Sequence, residues 1–445
     1  MPLDVDGEKI VNFKKGEIIM IDLDHFILPE SPFKEDYIVG TYLLRRHIRD
    51  PEDIIKTAVM MATEQTTGTW ISVPGESGEM IDRFRGKVLN IWEIPDQEQF
   101  RNEQDEERTY FIQLGFPWHN FGSQIPMLLT TIFGNISMIG DIKLVDIQFP
   151  KAFVEHFPGP RFGIEGIRSL LGVSERPLLN NMVKPSTGIS PEQGAELLYQ
   201  AASGGTDIIK DDEVMGNTDL SPVLKRVECY MGQLNKAQKE TGEKKLYAVN
   251  VTDEPEACLK TAEMAVNNGV NALLVNFFPA GLGLVTSLCR NSKINVPILA
   301  HLDFGGALYA SPWHGISSVL LYGKLARLAG VDLLCIPTPY GKFSLTYSKY
   351  IQIVHSLRSP FHSKPGVWPI AGGAIKQGHI PKLFNDLGRD FIIGAGGAIH
   401  GHPMGPAAGA RAFRQGIDLF MQYGQLEKQK LGKELQVAID KWGYE

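Results

Sequence analysis

Four consecutive charged residues, Lys210-Asp211-Asp212-Glu213, follow directly on the apolar pair Ile208-Ile209. Carboxylates crowded at the end of an apolar run can hold a hard divalent cation through oxygen, and Mg²⁺ prefers such ligands while keeping waters that a substrate can replace. The competing reading of the same residues is a solvated charged turn. The lysine adds information, because desolvation favours its neutral amine, and a neutral amine reacts with CO₂ to give a carbamate, in effect a further carboxylate. A second lysine, Lys184, closes another apolar run just before Pro185. It is a candidate for proton transfer, or a strand-end ion-pair partner.

Two glycine pairs, Gly372-Gly373 and Gly396-Gly397, also close apolar runs. Bare backbone N–H groups at such places let a phosphate approach closely, although glycines at strand ends are also ordinary turn residues. Lys342, in PTPYGKFSL, is placed to close over the same anion from a loop. His301, in the run PILAHLD with Asp303, is the histidine best placed for acid–base work. His314, His400 and His402 lie beyond the runs and receive no role, while Trp313 and Trp368 read as packing residues.

These residues need a scaffold that brings strand ends together. Short apolar runs recur at 178–185, 206–213, 245–252, 271–278, 297–303, 332–337, 368–374 and 391–397, each followed by a stretch at helical spacing. Continuous apolar runs indicate strands covered on both faces, as in parallel sheets. Eight strand–helix units in roughly 240 residues is the count and size of a (β/α)₈ TIM barrel, whose chemistry collects at the C-terminal ends of the strands. An open doubly wound sheet is the rival arrangement. The first 150 residues read differently, with strand-like runs at 37–44 and 109–114, a helix over 51–64 and a polar loop over 95–108. Strands not separated by regular helices point to an α+β layer. The breaker-rich Phe157-Pro158-Gly159-Pro160 marks a boundary nearby. The expected chain is therefore α/β in class: an N-terminal α+β (ferredoxin-like) domain over 1–155, then a (β/α)₈ barrel with a C-terminal helical extension over 156–445.

A formal charge of −7 and a pI near 5.9 leave no electrostatic footprint for nucleic acid. No apolar run reaches the roughly 20 residues needed to cross a bilayer. The four cysteines are scattered without CxxC spacing. With an N-terminus lacking an apolar signal-peptide core, these features point to a cytoplasmic protein with no membrane partner.

The motifs resemble those of the ribulose-bisphosphate carboxylase (RuBisCO) large-chain family over nearly the whole chain. GGTDIIKDDE is similar to that family's metal motif, and the resemblance assigns Mg²⁺ ligation to Lys210 (as carbamate, needing CO₂), Asp212 and Glu213, but not to Asp211. VKPSTGIS resembles the active-site lysine motif and gives Lys184 a proton-transfer role. TEQTTGTW carries Glu64, Thr69 and Trp70, and TTIFGN ends in Asn135. In the family Thr69 and Trp70 would bind substrate phosphate, while Glu64 and Asn135 would complete the site of the neighbouring subunit. That implies a homodimer or a multiple of dimers.

The departures point to one branch. A carboxylase has a second lysine where Ser186 stands, an arginine where Leu302 follows His301, a histidine at Cys335 and a serine-bearing turn where AGGA stands. The lost arginine and histidine belong to the second phosphate site. Without cationic partners a second buried dianion costs at least several kcal/mol. The resemblance is therefore to RuBisCO-like proteins that enolise or tautomerise a phosphorylated keto compound, nearest to the 2,3-diketo-5-methylthiopentyl-1-phosphate enolases of methionine salvage. Asn135, where that group carries lysine, and Lys342, which it generally lacks, keep a decarboxylase or C–C hydrolase of a branched keto-acid phosphate in view. A non-catalytic relative is a third reading.

Overall fold

The protein is described by a computed structural model covering residues 10–12, 18–20, 35–48, 52–68, 73–96, 106–343 and 345–444. The chain divides into two compact units, Met1–His156 with Gly306–Leu320, and Phe157–Gly305 with Leu321–Glu445.

The first unit is built on β1 (Tyr37–Ile48), α1 (Asp53–Glu64), β2 (Lys87–Ile94), β3 (Glu106–Pro117), α2 (Ile125–Phe133) and β4 (Ile142–Gln148). The antiparallel strands lie in the order β4-β1-β3-β2, the ferredoxin-like arrangement. Alternation buries one face: Ile38, Tyr42 and Leu44 of β1 sit opposite Phe116, Ile112 and Tyr110 of β3, and all six are buried. Two sequence expectations change here. Of the polar stretch 95–108, residues 97–105 lie outside the described residues, while Glu106–Arg108 belong to β3. Ion pairs from Glu107 to Arg45 on β1 (3.4 Å) and from Arg108 to Glu93 on β2 (3.3 Å) hold this charged end in the sheet. Residues 306–320, expected within the barrel, cluster with this unit. Their strand Gly315–Ile316 pairs parallel to β4, and Lys143 Nζ donates to the Tyr309 carbonyl at 2.9 Å.

The second unit is a closed barrel of eight parallel strands in sequential order: β5 (Leu178–Met182), β6 (Ile208–Lys210), β7 (Leu246–Asn250), β8 (Ala272–Asn276), β9 (Ile298–His301), β10 (Leu333–Pro337), β11 (Trp368–Gly372) and β12 (Ile392–Ala395). Leu178, Ile208, Ala248, Leu274, Leu299, Leu333, Ile370 and Ile392 fill the interior, and Ile167 and Leu171 of α3 (Gly163–Leu171) join the same cluster. Side chains alternate with period two, so the residue two positions on faces inward as well. Those positions are Asn180, Lys210, Asn250, Asn276, His301, Cys335, Gly372 and Gly394. The layer above the apolar plug is thus polar or bare, and it forms at the strand C-termini.

The helices around the barrel start where local chemistry dictates. In α4 (Pro191–Ser203) Ser190 and Gln193 form a reciprocal capping box and Pro191 occupies the first turn. Gly194 lets α4 approach α5 (Val223–Thr241), because a Cβ there would lie 1.8 Å from the hydroxyl oxygen of the buried Tyr230. Gly194→Ala gains about 1 kcal/mol of helix propensity, but overpacking costs about 1–3 kcal/mol. The expected outcome is a net loss of up to about 2 kcal/mol in urea unfolding; a gain in stability would show that the two helices yield freely.

Candidate active site

Within the second unit a cavity of about 600 Å³ opens at the C-terminal ends of the strands. Lys184, Lys210, Asp212, Glu213, His301 and Lys342 line it together with all four glycines, Gly372, Gly373, Gly396 and Gly397. The structure therefore brings together every barrel residue singled out from the sequence.

Lys210 has no exposed surface, and its Nζ donates to the Asp211 carbonyl (2.9 Å) and to Glu213 Oε2 (3.2 Å). Asp212 is held by Lys184, whose Nζ also donates to Ser186 Oγ at 2.7 Å. Asp211 turns away from the cavity. It accepts from the Tyr247 hydroxyl (2.7 Å), the Arg226 guanidinium (3.1 Å) and the Asn250 N–H (2.9 Å), all buried. Burial alone would raise the Glu213 carboxyl, but the charges of Lys210 and His301 and a backbone N–H hold it below the ordinary carboxylate range.

His301 lies 9 % exposed at the end of β9, with Nε2 3.4 Å from Glu213 Oε2 and Nδ1 3.2 Å from Asp303 Oδ1. On the β9–β10 side the cavity wall carries Leu302 and Cys335. Burial pushes the Cys335 thiol up to about 12, so it stays protonated and neutral. On the β11–β12 side the wall is bare backbone. Gly373 has a φ of 95°, and its carbonyl accepts from the Lys342 N–H at 3.2 Å. A Cβ on Gly341 would meet that carbonyl at 2.3 Å, so glycine there is what seats the Lys342 loop. A Cβ on Gly396 would press on Lys184 and on the Met182 carbonyl at 3.3 Å.

Several functional residues were not singled out from the sequence. Asn250 and Asn276 donate to the carbonyls of Asp212 and Glu213 at 2.8–3.3 Å and so fix the acidic turn. Their signal is the period-two step from Ala248 and Leu274. Lys376 adds a cation to the glycine-lined side, and Lys441 and Trp442 reach the cavity from α6 (Lys433–Trp442). Both ring nitrogens of His400 are buried without hydrogen-bond partners, and burial, helped by the charge of Lys184, lowers its pKa to about 4.

In the first unit Asn135 Nδ2 donates to Glu64 Oε1 at 3.0 Å, and Gln65 accepts from the Asn135 N–H. Asn135 is exposed. Thr69 and Trp70 lie outside the described residues.

Comparison with known proteins gives a consistent picture. Residues 163–442 match the family "Ribulose bisphosphate carboxylase large chain, catalytic domain", and 32–153 match its N-terminal domain. A ribulose bisphosphate carboxylase-like protein of Archaeoglobus fulgidus is 46 % identical over 93 % of this chain and 94 % of its own. A 2,3-diketo-5-methylthiopentyl-1-phosphate enolase of Geobacillus thermodenitrificans is 36 % identical, covering 91 % and 98 %. The crystal structure of a rubisco-like protein (MtnW) from Alicyclobacillus acidocaldarius superposes with a TM-score of 0.83 at 34 % identity, over 92 % of this chain and 100 % of that one.

Two outcomes follow from the geometry. Asp211→Ala leaves the fully buried Arg226 with neutral acceptors but without its carboxylate, so unfolding in urea should show a loss of about 3–5 kcal/mol; a loss below about 1 kcal/mol would mean the pair is not structural. His400 is protonated in the unfolded chain below its ordinary 6.5 but resists protonation in the fold until about 4. Its contribution to stability is therefore complete above pH 6.5 and lost as pH falls toward 4. His400→Gln should flatten the decline of the urea midpoint between pH 7 and 4.5, and an unchanged slope would contradict this.

Proposed function

We infer the function from one premise: the chain belongs to the ribulose bisphosphate carboxylase large-chain family. Our reading is a non-carboxylating member, a Mg²⁺-dependent enolase or tautomerase of a phosphorylated keto compound, with a methionine-salvage diketo monophosphate as the substrate class. The observation that carries it is the composition of the cavity. Metal-type and proton-transfer groups share it with a bare-backbone wall on one side and a neutral wall on the other.

The donor set fits a hard cation once Lys210 is carbamylated, since three carboxylate-type groups then meet at the end of β6. Until then its ammonium faces Glu213 at 3.2 Å and occupies that place with the wrong charge. Bound by Lys210 carbamate, Asp212 and Glu213, Mg²⁺ would supply Lewis-acid polarisation of the substrate carbonyl oxygens. The rest is the work of the chain. The N–H groups of Gly372-Gly373 and Gly396-Gly397, with Lys342 and Lys376 nearby, hold the phosphate and orient the reacting carbons by remote binding energy. Lys184 moves the proton at the carbon beside the carbonyl, with Asp212 and Ser186 aiming its amine. His301 is a second acid–base group. Leu302 and the neutral Cys335 accept an uncharged tail and leave a second phosphate without a cation.

Glu64 and Asn135, joined to each other on the first unit, would enter the site of a neighbouring subunit, making the working form a homodimer or a multiple of dimers. Lys342 on the cavity wall favours one second reading, a decarboxylase, in which this lysine pairs with a substrate carboxylate.

The test is proton NMR in D₂O with 2,3-diketo-5-methylthiopentyl-1-phosphate, Mg²⁺ and bicarbonate. The expected result is loss of the substrate α-proton signal without CO₂ release, reduced at least about a hundredfold by Lys210→Ala. CO₂ trapped from a β-keto-acid phosphate, with no exchange on the diketone, would favour the decarboxylase. Full activity in Lys210→Ala would defeat the carbamate mechanism.

A further inference from the structure

We propose that Asp386 is the positioning residue for Lys342, holding the chain on both sides of that lysine with one carboxylate. This rests on the anion-binding part given to Lys342 above, which the enolase and decarboxylase readings share. Asp386 Oδ2 accepts from the Tyr340 hydroxyl at 2.7 Å, and Oδ1 accepts from the Tyr347 hydroxyl at 3.1 Å. Tyr340 stands two residues before Lys342 and Tyr347 five residues after it. Tyr347 also opens the helix Tyr347–Arg358, which Thr346 caps by accepting from the Lys349 N–H.

The surface that meets Tyr340 matches each part of a tyrosine. His379, Lys382 and Asp386 follow at steps of three and four on the helix Ile380–Leu387 and its N-cap residue, so they share one face. The His379 ring stacks on the Tyr340 ring at 6.1 Å between centroids, and the Lys382 ammonium lies 5.1 Å over the same ring. Asp386, one turn further on, takes the hydroxyl. Burial, and then the Asp386 carboxylate, raise the Tyr340 phenol above its ordinary value, and Asp386 does the same for Tyr347. Both hydroxyls therefore stay protonated, as donors to a carboxylate must.

The clamp ties Lys342 to the wall assigned to the phosphate. The helix carrying Asp386 follows β11, the strand that ends in Gly372. The Lys342 N–H donates to the Gly373 carbonyl at 3.2 Å, and Thr338 Oγ1 to the Gly372 carbonyl at 3.4 Å. Backbone and carboxylate thus fix Lys342 to the same strand–helix unit at two levels. The lysine side chain is exposed, and among the described residues its ammonium has no hydrogen bond or ion pair; it lies 4.9 Å from the Phe343 ring. A cation whose backbone is held while its charge stays unpaired is preorganised for an anion from outside. Without the two phenol bonds, anion binding would also bear the entropy of ordering this stretch of chain.

The test reads chain order and anion binding separately. Trypsin cuts after an exposed lysine only where the backbone opens, so cutting of the Lys342–Phe343 bond, followed by mass spectrometry of the full chain, reports order independently of any reaction. Asp386→Ala should speed that cut at least about tenfold. Asp386→Asn, which keeps one acceptor, and Tyr347→Phe, which removes one donor, should speed it less. Calorimetric titration with inorganic phosphate should show affinity lowered at least about threefold in Asp386→Ala, in the same direction as Lys342→Ala. Three outcomes would overturn the proposal: an unchanged cut in Asp386→Ala, equal acceleration at every lysine and arginine, or phosphate affinity lowered by Lys342→Ala but not by Asp386→Ala. Phosphate affinity unchanged in Lys342→Ala would instead remove the anion role of Lys342, while a faster cut confined to that bond in Asp386→Ala would still establish the clamp.

Discussion

A lysine ammonium with no exposed surface, at an inward position of a closed barrel, is the constraint on which the rest of this site depends. Ile208 packs into the apolar plug, and the two-residue period places Lys210 directly above it. An isolated charge there would cost several kcal/mol or more. The neighbouring sequence answers with three acids, each given a different task. Asp211 turns outward into the Arg226–Tyr247 network, Asp212 takes the charge of Lys184, and Glu213 faces Lys210 itself. The Asn250 and Asn276 carboxamides hold the carbonyls of this turn, so the acids do not drift as charges change. Carbamylation would replace a buried positive charge by a negative one, and a divalent cation then balances the surplus. On the proposed reading, modification and metal binding would be coupled by electrostatics.

The same cavity limits what can be bound. A dianion needs partners, and the wall that carries Leu302 and a thiol kept protonated by burial offers none. The bare backbone of β11 and β12, with Lys342 and Lys376 near it, offers several. On the proposed reading the substrate would carry one phosphate and one uncharged tail, and the chain's relatives include enzymes named for such a compound.

Much of this was legible in the sequence because it rests on local physics. Eight buried parallel strands leave eight apolar runs, and a charged cluster after such a run marks a strand end. Glycine pairs at successive strand ends mark backbone laid bare. Contributions from remote segments were not legible. Lys441 and Trp442 arrive on the last helix, and Asn250 and Asn276 pass as polar residues within apolar runs until the barrel aims them at the acidic turn. The strand Gly315–Ile316 carries no compositional mark, since its partner β4 lies far away in sequence. Asp303 shows the same limit. Its meeting with Glu213 needs β6 and β9 across one barrel mouth, which only closure supplies.

The account turns on the chemical state of Lys210. Carbon-13 NMR of the protein in ¹³C-bicarbonate, with and without Mg²⁺, reads that state directly. The account predicts one carbamate resonance per chain, strengthened by Mg²⁺ and missing when Lys210 is replaced by arginine. No resonance at saturating bicarbonate and Mg²⁺, or one that survives Lys210→Arg, would contradict it.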